Sequence, residues 1–333
     1  MKKNVLLLLA TLFFCRISFS QNADSVDVVK YSINLDIDHL RVSEMQAQTT
    51  VCAKILRQVP AFTLDLISNN VDSVFVDGSR LDTIVYDGRY LTISVPSNVQ
   101  AGDTVYVRVC YHGSGYSESG GWGGLHFDGS IIYSLGCAFG ESPHSFGRAW
   151  FPCRDNFYDK SLVEYAVTVE KDYEVWCSGV RDSVSAPAQD SSRTFYFSVR
   201  HPIPSYLSSV TAGNFHDIQR TVQGVYGNYP LNVSFLSGDS LAISRNFDLL
   251  DDVLPKYENC FGPYRWERLG YVGTPLGSME HVSNISLVGE CLSNGNARLD
   301  TKTTSTTRCK SLSTFWNVLT EATSMSIAVS GLA

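Results

Sequence analysis

A chain of 333 residues with 44% apolar and 18% charged side chains can bury a core, which excludes a disordered or fibrous protein. Its length allows two domains. The formal charge of -7 comes without any Lys/Arg block, so the electrostatic footprint of a nucleic-acid binder is missing and no nucleic-acid partner is expected.

The first element in chain order is a leader. Lys2 and Lys3 precede an apolar run from Val5 to Phe14, and Ser18 and Ser20 precede Gln21. That run is too short to span a bilayer and has the order of a signal peptide. Residues 1–20 are therefore expected to be cleaved near Ser20 and the protein exported, periplasmic or secreted, with no membrane partner afterwards. Cys15 leaves with the leader. The other cysteines, Cys52, Cys110, Cys137, Cys153, Cys177, Cys260, Cys291 and Cys309, are widely spaced and form no Cys-x-x-Cys. Their spacing argues against a dense disulfide framework and against a cysteine zinc site, and several should be buried free thiols.

Residues 21–217 read as one antiparallel β domain, a large sandwich or saddle. Short alternating runs such as "VVKYSINLDI", "FTLDLI", "YLTISVP", "DTVYVRVCYHG", "SLVEYAVTVE" and "RTFYFSVR" are separated by Gly, Asp, Asn and Pro clusters. The period then changes. In "SLAISRNFDLLDDVLPKYENCFG", Leu241, Phe247, Leu250, Leu254 and Tyr257 recur at helical spacing. Asp239 or Ser240 is a plausible N-cap, Gly262 lies near the C-terminus, and Pro255 should kink or end the helix early. Residues 218–296 therefore read as the start of an α+β segment. Residues 297–333 form an atypical Ser/Thr-rich tail, in which 14 of the 33 residues from Thr301 onward are Ser or Thr.

Two stretches could carry chemistry. In "TPLGSMEHVSNISL", an acid and an imidazole, Glu280 and His281, sit behind a flexible glycine, Gly277, between two strand-like runs. In "GESPHSFGRAWFPCRDNFYDKSLVEYAVTV", Asp155 can hold Arg148 as an ion pair pinning a loop to a sheet, because buried charges are usually paired. Glu141, in a glycine-flanked loop, is free to face a ligand. The glycine-rich "GSGYSESGGWGG" lacks the lysine of a phosphate loop and reads as a mobile loop. No two of the seven histidines are one helical turn apart, so no His-Glu-x-x-His zinc site exists in the sequence.

"GRAWFPCRDNFYDKSLVEYAVTV" resembles the arginine, Phe-Pro-Cys, aspartate, lysine and strand of aminopeptidase N-like metallopeptidases, peptidase family M1. "GSMEH" resembles their Gly-x-Met-Glu-Asn motif, with His281 in place of asparagine. Both motifs occur in the family's order, and the resemblance covers roughly residues 25 to 295. It implies a β domain ahead of a thermolysin-like domain, and peptides with a free N-terminus as partners. Glu280 would bind the α-amino group, a charge-assisted contact of a kind that carboxylates make well with ammonium groups. Gly277 and Ser278 would border the scissile bond, Met279 would shape the first side-chain pocket, and His281 would sit beside them. The second amine-binding acid of the family falls on Pro143, and the role passes to Glu141 if the loop is two residues longer; His144 is an alternative lining residue.

Zinc is the cofactor of the parent family, but where its His-Glu-x-x-His would fall this chain reads "TTRCKSLS", Thr306 to Ser313. The resemblance thus implies a substrate-amine site without the catalytic zinc, general base or tyrosine. No catalytic or metal-binding residue is assigned, and a truncated or frameshifted aminopeptidase is the first expectation. A non-catalytic β-sandwich peptide binder or scaffold is the alternative, and a carbohydrate-binding or adhesion module built on Trp122, Trp150 and Trp176 is a third reading.

Overall fold

The computed structural model describes residues 25–37, 43–67, 69–129, 131–185, 192–238, 240–277, 279–288 and 292. The leader, the Ser/Thr-rich tail, Asp239 and Ser278 lie outside the described residues.

In chain order the strands are β1 (Val26–Asp36), β2 (Met45–Ile55), β3 (Ala61–Asp65), β4 (Asn70–Val76), β5 (Ser79–Arg80), β6 (Val85–Tyr86), β7 (Tyr90–Ser94), β8 (Thr104–Gly113), β9 (Gly124–Asp128) and β10 (Ile131–Leu135). There follow β11 (Ser161–Glu170), β12 (Glu174–Cys177), β13 (Val180–Val184), β14 (Ser192–Ile203), β15 (Val210–Gly213), β16 (His216–Gln223) and β17 (Asn228–Phe235). Two helices, α1 (Ser240–Asn246) and α2 (Leu250–Phe261), precede β18 (Leu269–Thr274) and β19 (Ile285–Val288).

These strands make an eight-stranded sheet in the order β13-β14-β11-β1-β2-β8-β4-β5, a four-stranded sheet β12-β15-β10-β9, a three-stranded sheet β3-β7-β6 and a four-stranded sheet β16-β17-β18-β19. The fold is mainly β, as the alternating sequence implies. In β8, Val105, Val107, Val109 and Tyr111 are buried while Tyr106 on the other face is exposed, the pattern of a strand with one wet side. The large sheet is antiparallel except for β1 and β11, which run parallel from Lys30↔Leu162 to Asp36↔Thr168.

The last sheet has a different character. β17, β18 and β19 are parallel neighbours, and every residue of β18 is buried, so this strand is covered on both faces. The crossover from β17 to β18 carries both helices, as a parallel connection requires. The helix expected over this crossover is broken at Phe247–Leu249, not at Pro255, which lies inside α2. Arg220 of β16 explains the place of the break. Its guanidinium donates to the Phe247 carbonyl at 2.6 Å, supplying a partner that a continuing helix would have supplied, and pairs with the Asp251 carboxylate at 2.8 Å. Leu241 is exposed and Ile243 takes its place in the core, whereas Gly262 does terminate α2, at φ 89°.

Arg268 fastens this sheet to the rest. Fully buried, it donates to the carbonyls of Gly179 and Cys177 at 2.9 and 2.8 Å, bonds Asn232, and lies 4.9 Å from the Trp176 ring. Burial lowers its guanidinium to about 9. All six described cysteines are free thiols, and Cys153 and Cys177 are buried. No helix among the described residues is long and apolar enough to cross a membrane.

Candidate functional site

After β18 the chain turns back and lays the Gly277–His281 segment against β19. Met279 donates its N–H to the Ser286 carbonyl at 3.3 Å and accepts the Ser286 N–H at 2.9 Å, an antiparallel bridge on a strand whose other edge is paired parallel to β18. Gly277 is required here for proximity rather than for flexibility. A Cβ on it would sit 2.2 Å from the Val288 nitrogen, closer than any side chain tolerates. Met279 itself is buried.

Glu280 is half-buried, and burial raises its pKa while its own backbone N–H pulls the other way. No charged neighbour among the described residues contributes to that shift. A carboxylate held partly out of water with no cation beside it is poorly solvated, and an incoming ammonium group would supply what is missing.

His281 does something else. Its ring is 1% exposed, and Nε2 accepts the backbone N–H of Gly136 at 3.2 Å. Burial lowers its pKa to about 3, so it is the neutral imidazole with its proton on Nδ1. The expectation that His281 faces substrate is therefore corrected, because the side chain is spent on docking the segment to the end of β10. The packing is close on the other side as well, since a Cβ on Gly136 would lie 1.8 Å from the Tyr206 carbonyl oxygen.

Five further side chains bracket the segment, and none was assigned to the site by sequence. At the Gly277 end, Trp122 donates its indole N–H to the Gly277 carbonyl at 3.2 Å, and Phe139 packs on Trp122 with ring centroids 4.9 Å apart. At the Glu280 end stand Cys137 and Tyr206, the latter packed edge-on against Phe157 at 5.1 Å. Burial first, and the Glu280 charge second, push the Cys137 thiol up to about 12; the Tyr206 phenol is raised by burial, Cys137 and Glu280 together. Both groups are therefore neutral beside the carboxylate. Only a segment one step from tryptophan and glycine clusters could have hinted at this enclosure, because its partners lie far away in sequence.

The second stretch forms an ion-pair network. Arg148 and Asp155 meet at 2.7 Å with side chains 1% and 0% exposed, as the sequence implies. The carboxylate of Asp155 also accepts the Gly147 and Arg148 N–H groups and the Ser205 hydroxyl. Glu141 is not free to face a ligand. It pairs with Arg148 at 3.3 Å and Arg89 at 3.5 Å, so its charge is already neutralised by two guanidinium groups, and the amine-binding role expected of it is corrected. His144 is exposed, with Nδ1 2.9 Å from the Ala138 carbonyl. Two of the three tryptophans of the carbohydrate reading are unavailable to a sugar, since Trp150 and Trp176 are buried, while Trp122 is half-buried and donates its N–H to Gly277.

No group of three or more His, Cys, Asp or Glu among the described residues is placed to hold a metal ion. The histidine nearest Glu280 in sequence already accepts a hydrogen bond and is sealed from solvent, so this part of the chain does not fit a zinc site.

No family model matches the sequence. The chain is 26% identical over 204 residues to aminopeptidase RNPEPL1 of Homo sapiens, an alignment covering 59% of this chain and 25% of that protein. It is 26% identical over 149 residues to leucine aminopeptidase 2 of Aspergillus terreus, covering 43% of this chain and 23% of that one. It thus spans about a quarter of the length of the curated relatives it matches. Among solved structures, a variant of the M1 zinc metallopeptidase of Deinococcus radiodurans bound to a Tyr-Ser-Ala substrate superposes with a TM-score of 0.71 at 20% identity, covering 85% of this chain and 65% of that one. The chain has an M1 aminopeptidase-like fold. Aminopeptidase A of Legionella pneumophila, in complex with aspartic acid, superposes with a TM-score of 0.70 at 14% identity, covering 83% of this chain and 32% of the other.

Proposed function

We propose that this chain is the substrate-recognising part of an exported, M1-type metallo-aminopeptidase-like protein, and that Glu280 binds the free α-amino group of a peptide. The observation that carries the reading is the half-buried Glu280 carboxylate, which has no charged neighbour among the described residues and sits on an M1 aminopeptidase-like fold. Residues 21–217 serve as the β domain, and residues 218–296 as the start of the peptidase domain. A peptide ammonium group entering between Tyr206, Cys137 and Gly277 finds one anion and otherwise neutral walls. It therefore docks by its terminus, while Met279 backs the segment from the core side.

Zinc supplies a Lewis acid and an activated water in the parent activity, the removal of N-terminal amino acids. Since the 333 residues contain no His-Glu-x-x-His, we assign them recognition without hydrolysis, as a catalytically incomplete form of the parent enzyme.

Titration calorimetry with leucine amide and N-acetyl-leucine amide tests the assignment. The free amine should bind and the acetylated one should not, and Glu280→Gln should weaken binding by about 1.5–3 kcal/mol, the worth of a hydrogen bond to a charged group. Equal binding of the two amides, or undiminished binding to the Gln variant, would remove Glu280 from the site. Equimolar zinc together with leucine-anilide hydrolysis by the purified chain would overturn the catalytic incompleteness.

A further inference from the structure

We propose that Trp122 and Phe139, positioned by the buried carboxylate of Glu118, form a second contact that selects an aromatic side chain at the second or third residue of the bound peptide; this rests on Glu280 holding the amino terminus.

The glycine-rich loop expected to be mobile is pinned, and Glu118 pins it. Its side chain is buried at 4% exposure; Oε1 accepts the Gly123 N–H at 3.0 Å and Oε2 accepts the Gly140 N–H at 2.7 Å. Burial alone would raise this carboxyl, but the N–H groups of Gly140, Gly123 and Phe139 outweigh it and hold the pKa down, so the clamp is ionised at neutral pH. The backbone of Glu118 closes the turn as well, donating to the Gly123 carbonyl at 2.9 Å and accepting the Gly121 N–H at 2.7 Å. Gly123 packs at backbone distance against the second loop, where a Cβ would sit 2.0 Å from the Cys137 carbonyl oxygen. One carboxylate therefore fixes two loops, and each loop contributes one ring.

Those rings are placed for a ligand. Trp122 is anchored on the Gly277 carbonyl, and Phe139, tilted against it at 45°, is 74% exposed. An apolar ring held rigidly in water beside a recognition segment gains its favourable energy only when something apolar covers it. Its place along the segment says which part of a peptide that would be. Trp122 holds the Gly277 carbonyl, three residues before Glu280, so the aromatic pair flanks the end of the segment away from the amine anchor. A peptide held at Glu280 by its terminus brings its second or third side chain there. The rings offer no charge, so an aromatic or large apolar side chain is the complement, worth about two- to tenfold in affinity.

The test is calorimetric titration of the full chain with Ala-Ala-Ala, Ala-Phe-Ala and Ala-Ala-Phe amides, each also in its N-acetyl form. At least one Phe peptide should bind at least about twofold tighter than Ala-Ala-Ala amide. Phe139→Ala, which changes an exposed ring and leaves the core intact, should bring that peptide down to the level of the alanine peptide. Glu118→Ala should lose the preference and Glu118→Gln, which keeps one acceptor oxygen, should retain part of it, whereas a purely structural role would lower all peptides alike. Equal affinity for the three free peptides, or a Phe preference that survives Phe139→Ala, overturns the proposal. Retention of the Phe preference by the N-acetyl peptides would support the aromatic contact while removing the Glu280 anchor, and no binding by any peptide would remove both.

Discussion

Glu141 and Glu280 both sit half-buried at loop edges in stretches that resemble a substrate site, yet their surroundings differ completely. Glu141 lies between Arg148 and Arg89 and is balanced within the protein. Glu280 is enclosed by the neutral groups Cys137 and Tyr206 and by a segment docked through neutral His281, and no charged neighbour among the described residues contributes to its pKa. A charge that the fold compensates is architecture, whereas one that the fold leaves half-solvated and uncompensated is a place for an external counter-ion. Glu118 and Glu258 reinforce the point: both are buried, and both are held ionised by backbone N–H groups, with the Tyr229 hydroxyl adding to Glu258.

The sharpest way to break this contrast is at Arg148. Arg148→Ala leaves Asp155 buried and unpaired beside a strand, and should cost about 3–5 kcal/mol of unfolding free energy in urea titrations. A loss below about 1 kcal/mol, the range of exposed pairs, would mean the network is not structural.

A second test uses His281, whose pKa is lowered from 6.5 to about 3 by burial. The unfolded chain binds that proton more readily than the folded one, so this contribution to stability is complete above about pH 6.5 and is lost as pH falls toward about 3. Thermal melts should therefore fall with acidification through that window, and His281→Asn should flatten the dependence. Equal slopes in the two proteins would place the imidazole in water.

The smallest effect is expected at Glu141. Glu141→Gln should cost less than about 1 kcal/mol of stability, because its side chain is 20% exposed, and should leave leucine amide affinity unchanged. A loss of affinity comparable with that of Glu280→Gln would restore Glu141 to the amine site.

Much of the fold is legible in the sequence because half-buried strands write themselves as alternation. "TVYVRVCYHG" and "SLVEYAVTVE" name their own inward faces. The Arg148–Asp155 pair is legible too, since two opposite charges seven residues apart in an apolar stretch have few alternatives. What sequence does not show is long-range chemistry. The helix break depends on Arg220, 27 residues before Phe247; the fate of Glu141 depends partly on Arg89; and the role of His281 depends on a backbone N–H 145 residues away. The glycine-rich loop looked mobile because glycine permits many conformations, but Gly123 and Gly124 are there to let backbones touch. The motif marks Glu280, while the physical reason for it, an uncompensated charge, appears only once its neighbours are in place.

The most direct measurement of that central claim is a carbon NMR titration of the Glu280 carboxyl, with and without saturating leucine amide. Burial should put its midpoint above the ordinary carboxylate value in the free protein, and a bound ammonium group should lower it, because an adjacent cation favours the ionised form. By the same linkage, leucine amide should bind more tightly as pH rises through the free midpoint, until the ligand amine itself loses its proton near about pH 8. A midpoint at the ordinary value in the free protein, or one that saturating leucine amide does not move, would contradict the account.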